Sequence, residues 1–358
     1  MAGEGWRDRF RGWPPPLATN HATNEVSLMY VHLKLVKEPW PSDRWQKFFD
    51  HAWPLFKIWY ESEGLDARPD LVTCRSVLEL HMPELIPVYN SLCRIANNDD
   101  AACRFLSMWC PPPYMAGCSQ VAWTKGAPTL IRNYDFDPRY FDGRMRFTEY
   151  VKPVIGIQDS GWGLLDGMNI DGLAVALAFG GRKVSGTGFG IPLLIRYVLE
   201  TCSTTDEACE TLSRVPVHMG YNVTVVDKSG KYATVYLNPD RPPQVIYQAV
   251  ACNHQHQVEW DEYAAFTNTI ERKHYLEHSI AQPRLTRAAL IKQFLKPPLY
   301  SQQYLRGFGT LYTAAYDLSK GRVQIIWPEK QVEASFSRFE EQDVQVVLLR
   351  PVGRYLAK

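Results

Sequence analysis

Pro111-Pro112-Pro113 divides this chain more firmly than any other feature of its sequence. Three consecutive prolines offer no amide donors and hold φ near about −65°, so neither a helix interior nor a central strand runs through them. The tripeptide reads as a rigid extended segment, and the patterns on its two sides differ. Upstream, Trp45, Phe48, Phe49, Trp53, Phe56 and Trp59 recur at helical spacing after Ser42-Asp43, which reads as an N-cap. Pro54 is expected to kink that helix, and the aromatic stripe to pack as core. A second helical stretch covers 69–95, interrupted by Pro83 and Pro87, and a short one runs from Asp99 to about Trp109. Residues 1–30, with Pro14-Pro15-Pro16 and little periodicity, read as an irregular arm.

Downstream of Gly117 the pattern turns to strands. Short β-type runs recur at 118–124, 129–133, 154–158, 173–179, 221–227 and 232–237, and again at 245–250, 309–316, 322–327 and 344–350. Gly126-Ala127-Pro128 and Asp227-Lys228-Ser229-Gly230 look like hairpin connections. Two helical runs, 191–201 and 204–215, lie between the strand blocks. Hairpin-joined strands with a helical block between them predict an α+β fold of antiparallel sheets. The boundary falls at 117/118: a mostly helical segment over 1–117 and a sheet-forming region over 118–358.

With 46% hydrophobic and 22% charged residues, the 358-residue chain is globular in composition and not disordered. Its 39 basic and 38 acidic side chains leave a net charge of +1, so no global field favours nucleic acid or an anionic membrane. No apolar run reaches the roughly 18 residues of a membrane span, and the charged start lacks a signal-peptide core. A reducing cytoplasm is the expected location. The eight cysteines form no Cys-x-x-Cys pair, and His254 and His256 have no matching ligand set nearby. No metal and no cofactor are therefore expected. The glycines of 184–190 fit neither a dinucleotide fingerprint nor a P-loop and read foremost as a tight turn.

Cys118 carries the strongest chemical signal. It follows Gly117 at the first position of the strand region, where a thiol is open to attack. Arg132 and Asp135 come next in Leu130-Ile-Arg-Asn-Tyr-Asp-Phe136, and the turn at Gly126-Ala127-Pro128 folds that run back along the first. A spacing of three places Arg132 and Asp135 on opposite faces of a regular strand, so both reach Cys118 only if the strand bends or ends near Tyr134. A salt-bridged strand end is the plainer reading of the same residues. A papain-like pairing of Cys118 with His254 is a third, but there the cysteine begins a long helix and here it begins a β-run.

Gly117-Cys118-Ser119 followed by Arg132-Asn-Tyr-Asp135 resembles the acyl-coenzyme A:isopenicillin N acyltransferase group of N-terminal nucleophile (Ntn) hydrolases, related to choloylglycine hydrolases, penicillin V acylases and acid ceramidases. Trp162-Gly-Leu-Leu-Asp-Gly-Met-Asn169 with Asp171-Gly-Leu173 is similar to the family's Gly-Met-Asn-x-x-Gly-Leu stretch. Tyr221-Asn-Val-Thr-Val-Val-Asp227, Ala251-Cys-Asn-His254 and Gly309-Thr-Leu-Tyr-Thr313 resemble three further segments, in the family's order over roughly 118–327. The resemblance implies a four-layer αββα sandwich and a precursor that cuts its own Gly117–Cys118 bond into two fragments that stay associated. It implies Cys118 as nucleophile with its freed α-amine as base, a group whose ordinary pKa is about 7.7–8.0. It further implies Asp135 to orient that amine, Arg132 to hold the thiolate or the substrate carbonyl, and Asn222 as oxyanion donor. A later substrate-binding arginine falls on Arg284, with Arg272 and Arg287 as neighbours for the role. Leu177-Ala178-Phe179 has alanine where choloylglycine hydrolases carry asparagine, which favours the acyltransferase branch. The implied substrate is a small linear amide or acyl thioester, hydrolysed or transferred through a cysteinyl thioester. The alternative is an uncut, non-catalytic member of the same fold that binds a ligand or a partner protein.

Overall fold

The computed structural model describes residues 29–348. Most of the arm expected over 1–30 and the end of the strand expected over 344–350 therefore lie outside the described residues. The helical segment opens, against expectation, with a strand, β1 (Met29–Lys37). Its helices are α1 (Asp43–Tyr60), α2 (Leu71–His81), α3 (Ile86–Ile95) and α4 (Asp100–Ser107). Ser42 caps α1 by accepting from the Arg44 amide, and Asp70 and Asp99 cap α2 and α4 in the same way. Pro54 lies inside α1. The aromatic stripe packs as core: Phe105 of α4 meets the rings of Phe56 and Trp53 at 5.0 and 5.4 Å.

The strands that follow are β2 (Gly117–Trp123), β3 (Thr129–Phe136), β4 (Arg144–Glu149), β5 (Pro153–Asp159), β6 (Gly163–Asn169) and β7 (Leu173–Phe179). Helices α5 (Ile191–Thr201) and α6 (Thr205–Arg214) precede β8 (Tyr221–Asp227), β9 (Tyr232–Leu237), β10 (Gln244–Ile246) and β11 (Val250–Ala251). Three helices missed in the sequence come next, α7 (Asp261–Thr267), α8 (Thr269–Ala281) and α9 (Arg287–Phe294). The chain continues through β12 (Gln302–Gln303), β13 (Phe308–Asp317), β14 (Arg322–Ile326), β15 (Gln331–Ser335) and β16 (Gln342–Leu348).

Among the described residues these strands form two sheets. The larger runs β10-β9-β8-β7-β6-β5-β4-β1-β16, and the smaller runs β11-β2-β3-β13-β14-β15 with β12 beside β13. The expectation of purely antiparallel sheets needs one correction: β1 pairs with β4 in parallel. That pairing, with the antiparallel pairing of β1 to β16, sews the N-terminal segment into the large sheet. The run expected over 245–250 breaks into β10 and β11, which belong to different sheets.

Alternation along β2 and β3 assembles the layers. Cys118, Gln120, Arg132 and Tyr134 face the large sheet, where Gln120 Nε2 donates to Thr224 Oγ1 at 2.8 Å. Val121, Trp123 and Ile131 point the other way and pack with Leu276, Leu290 and Phe294 of α8 and α9. Helices α5 and α6 lie on the large sheet, α5 against β6 and β7 and α6 against β8 and β9. The order is helix, sheet, sheet, helix, an α+β fold. In the 184–190 stretch, a Cβ on Gly188 would sit 2.3 Å from the Val217 carbonyl carbon, so glycine there serves close backbone packing. Among the described residues no helix is long and apolar enough to cross a membrane.

Candidate active site

The register of β2 on β3 sets Gly117 opposite Asp135, Cys118 opposite Tyr134 and Gln120 opposite Arg132. The Cys118 thiol is fully buried between the sheets. Arg132 Nη2 donates to its Sγ at 3.0 Å. The same guanidinium donates through Nη1 to the Leu165 carbonyl at 2.9 Å and to Asp166 Oδ2 at 2.7 Å. Asp166 sits on β6 of the other sheet, so this ion pair bridges the sandwich. Its carboxylate also accepts from Tyr312 Oη at 2.5 Å and from Tyr316 Oη. Arg132 and Asp166 are both wholly buried, and each has charge-assisted partners that make such burial tolerable.

Asp135 lies on the opposite face of β3, as its spacing from Arg132 requires. The strand keeps its pleat there, and the irregularity falls on the partner strand instead, between Thr310 and Tyr312 of β13. Asp135 Oδ1 accepts from Thr310 Oγ1 at 2.6 Å, and Oδ2 faces Arg272 Nη1 at 3.4 Å. It thus meets the backbone side of Cys118, not the thiol. Burial pushes its carboxyl up to about 6, against the opposing pull of Arg272 and Thr310.

Arg272 does the most to organise that side. From the first turn of α8 it donates to the Cys118 carbonyl at 2.7 Å, to Ser119 Oγ at 2.8 Å and to Asn253 Oδ1 at 2.8 Å. Asn253 Oδ1 in turn accepts from the Cys118 amide at 2.9 Å, and Asn253 Nδ2 donates to the Ala116 and Phe179 carbonyls. Tyr263 Oη donates to the Ala116 carbonyl at 2.8 Å. The peptide on either side of Gly117–Cys118 is therefore gripped by side chains from α7, α8 and the loop after β11. Gly117 itself has no room for a side chain, since a Cβ would lie 2.1 Å from the Phe308 ring.

Two of the expected site residues have other surroundings in the structure. Arg284 is exposed in the turn between α8 and α9, while Arg272 points inward and donates to the Cys118 carbonyl. Asn222 is buried on β8, but both N–H bonds of its amide go to carbonyls, Cys252 at 2.8 Å and His254 at 2.9 Å. Asn222 thus braces the loop that carries Asn253. Asn253 and Asp166 were missed although both sit inside quoted stretches, Ala251–His254 and Trp162–Asn169. Their signal, a single polar side chain on or just after an apolar strand, names no partner.

The thiol is pushed up to about 11 by burial, with Arg132 the main opposing influence and Asp135 adding to the rise. It is a neutral thiol at physiological pH and needs a base to react. His254 is not poised as that base: its Nδ1 shares a hydrogen bond with Thr269 Oγ1 at 2.9 Å. Burial, then Lys273 and Arg272, hold its imidazole down to about 4. His254→Ala is expected to stay within about tenfold of the wild-type rate, whereas removal of a general base costs about 10²–10⁴. Steady-state rates on one preparation decide this, and a loss of the larger size would restore the Cys–His pairing.

Residues 123–331 match the family model described as acyl-coenzyme A:6-aminopenicillanic acid acyl-transferase. The match begins downstream of Gly117 and Cys118. A search by sequence among curated proteins finds no match. Among solved structures the chain is similar to a conjugated bile acid hydrolase from Clostridium perfringens, at 16% identity and a TM-score of 0.39, covering 67% of this chain and 100% of that one. It is similar to the Caenorhabditis elegans ortholog of N-acylethanolamine-hydrolyzing acid amidase, at 15% identity and a TM-score of 0.40, covering 64% and 99%. Penicillin V acylase from Agrobacterium tumefaciens aligns at 13% identity and a TM-score of 0.31, over 62% of this chain and 78% of that one.

Proposed function

The chain belongs to the acyl-coenzyme A:6-aminopenicillanic acid acyl-transferase family, and from that premise we propose that it is a self-processing cysteine enzyme that hydrolyses or transfers the acyl group of a small amide. One observation carries the reading. The sulfur and the nitrogen of Cys118 each have a side-chain polar partner, Arg132 Nη2 at 3.0 Å and Asn253 Oδ1 at 2.9 Å.

In processing, Cys118 Sγ attacks the Gly117 carbonyl and the acyl group moves from nitrogen to sulfur. Water then cleaves that thioester, freeing the Gly117 carboxylate and the Cys118 α-amine. In turnover the amine takes the thiol proton, the thiolate attacks the substrate carbonyl, and the proton passes to the leaving amine. The cysteinyl thioester is resolved by water or by an acceptor amine. Asn253 and Asp135 hold the amine side, and Arg132 faces the sulfur. The two fragments stay together because β1 is hydrogen-bonded between β4 and β16. A reducing cytoplasm suits the eight free thiols.

Intact-mass measurement of the purified protein tests this. Two chains, the second beginning at Cys118, are expected. After incubation with an acyl donor, the second chain should gain the mass of one acyl group. A single uncut chain that acquires no acyl adduct would instead support a non-catalytic binding member.

A further inference from the structure

A cavity of about 340 Å³ lies between α1 and the end of β3, within the usual range for a small-molecule site. Phe48, Phe56 and Trp59 of α1 form one wall, and Tyr134, Phe136 and Tyr114 the facing one. Tyr134 is the cross-strand partner of Cys118, so the cavity adjoins the nucleophile. Four charged side chains line this aromatic chamber. Arg139 is held by Asp137 outside it. Arg144 lies over the Phe48 ring at 4.3 Å and offsets Asp142. Asp142 accepts from Gln158 Nε2 at 3.1 Å and from the Gly161 amide.

Asp159 is left over. It accepts from Ser160 Oγ at 2.9 Å, and among the described residues no cationic side chain forms an ion pair with it. Beside it stands the buried Tyr114 hydroxyl, whose polar neighbours are the Tyr221 hydroxyl and Asp159. Burial, and then the neighbouring Asp142 carboxylate, push the Asp159 carboxyl up to about 7, so a cation brought beside it would favour the charged form. Aromatic faces around it attract cations rather than anions.

We propose that this cavity binds a protonated amine carried on the acyl group of the substrate, with Asp159 as its counter-ion and the surrounding rings as its walls. The proposal rests on Cys118 as the acyl acceptor, because it is Tyr134 that joins cavity to nucleophile. It narrows the substrate class to amides whose acyl part is short or aromatic and ends in a cationic nitrogen.

Calorimetric titration with 4-phenylbutylamine and its neutral counterpart 4-phenylbutan-1-ol tests the site without any turnover. The amine is expected to bind at least about tenfold more tightly, equivalent to about 1.4 kcal/mol, and Asp159→Asn to erase the difference. Asp159→Ser serves if the asparagine variant does not melt like wild type. Equal affinities, no binding of the amine, or a preference that survives both substitutions would overturn the proposal. A second arm compares acylation of Cys118 by the p-nitroanilides of 6-aminohexanoic and heptanoic acids. Equal acylation by both refutes the cation site and leaves the enzyme reading standing. Binding of the amine that depends on Asp159, with acylation by neither donor, overturns the assignment of the bound amine to the substrate's acyl group.

Discussion

The Cys118→Ala protein is expected to remain one uncut chain and to lose at least about 10⁴-fold in turnover. The same sulfur attacks in both reactions, so its removal abolishes the two together. Losing a nucleophile typically costs more than losing any single group that assists it. The void left by the thiol costs about 1 kcal/mol or less and an Arg132 N–H loses its sulfur acceptor, so stability is measured beside activity to show that folding is not the cause of the loss. Intact mass, a melting curve and an acyl-transfer assay on one preparation separate these effects. A variant that melts like wild type, stays uncut and is inert agrees with the mechanism. A variant cut between Gly117 and Cys118 at the wild-type rate would place the processing chemistry on another group.

Arg132→Met is expected to lower the free energy of unfolding by about 3–5 kcal/mol, the cost of leaving one member of a buried ion pair without the other. Asp166 would keep its two tyrosine hydroxyls but lose the cation that bridges the sheets. Adding Asp166→Leu should recover part of the loss, since the stranded charge is then gone. Recovery stays incomplete because Tyr312 and Tyr316 lose their acceptor. A urea-denaturation double-mutant cycle measures the coupling. A single-variant loss under about 1 kcal/mol would mean that water reaches the pair. Arg132→Met should also slow acylation beyond its stability cost, because the guanidinium is the main influence pulling the Cys118 thiol back toward its ordinary range.

Local pattern carried most of the fold. The runs expected over 173–179, 221–227 and 232–237 are β7, β8 and β9 to the residue, because their alternating or fully apolar side chains suit a strand buried in a sheet. Ser42 and Asp99 announced their helices through chemistry confined to one turn. Helices α7, α8 and α9 stayed illegible: their polar faces give a weak period, and α8 and α9 are held by packing on the small sheet. Strand β1 was hidden for a related reason. Edge pairing with β16 and parallel pairing with β4 join it to strands more than a hundred residues away along the chain.

By itself the sequence determined that Arg132 and Asp135 part to opposite faces of a regular strand, because side-chain alternation follows from the backbone alone. Only the tertiary structure decided what each face meets. The inner face of β3 meets Asp166 from another sheet, and the outer face meets Arg272 from a helix. Arg272 and Arg284 look alike as sequence, and burial of one and exposure of the other separates them. Asn253 became a partner of Cys118 only through the pairing of β11 with β2. Such contacts join positions 34 to 154 residues apart, and no periodicity within either stretch encodes the other's place in space.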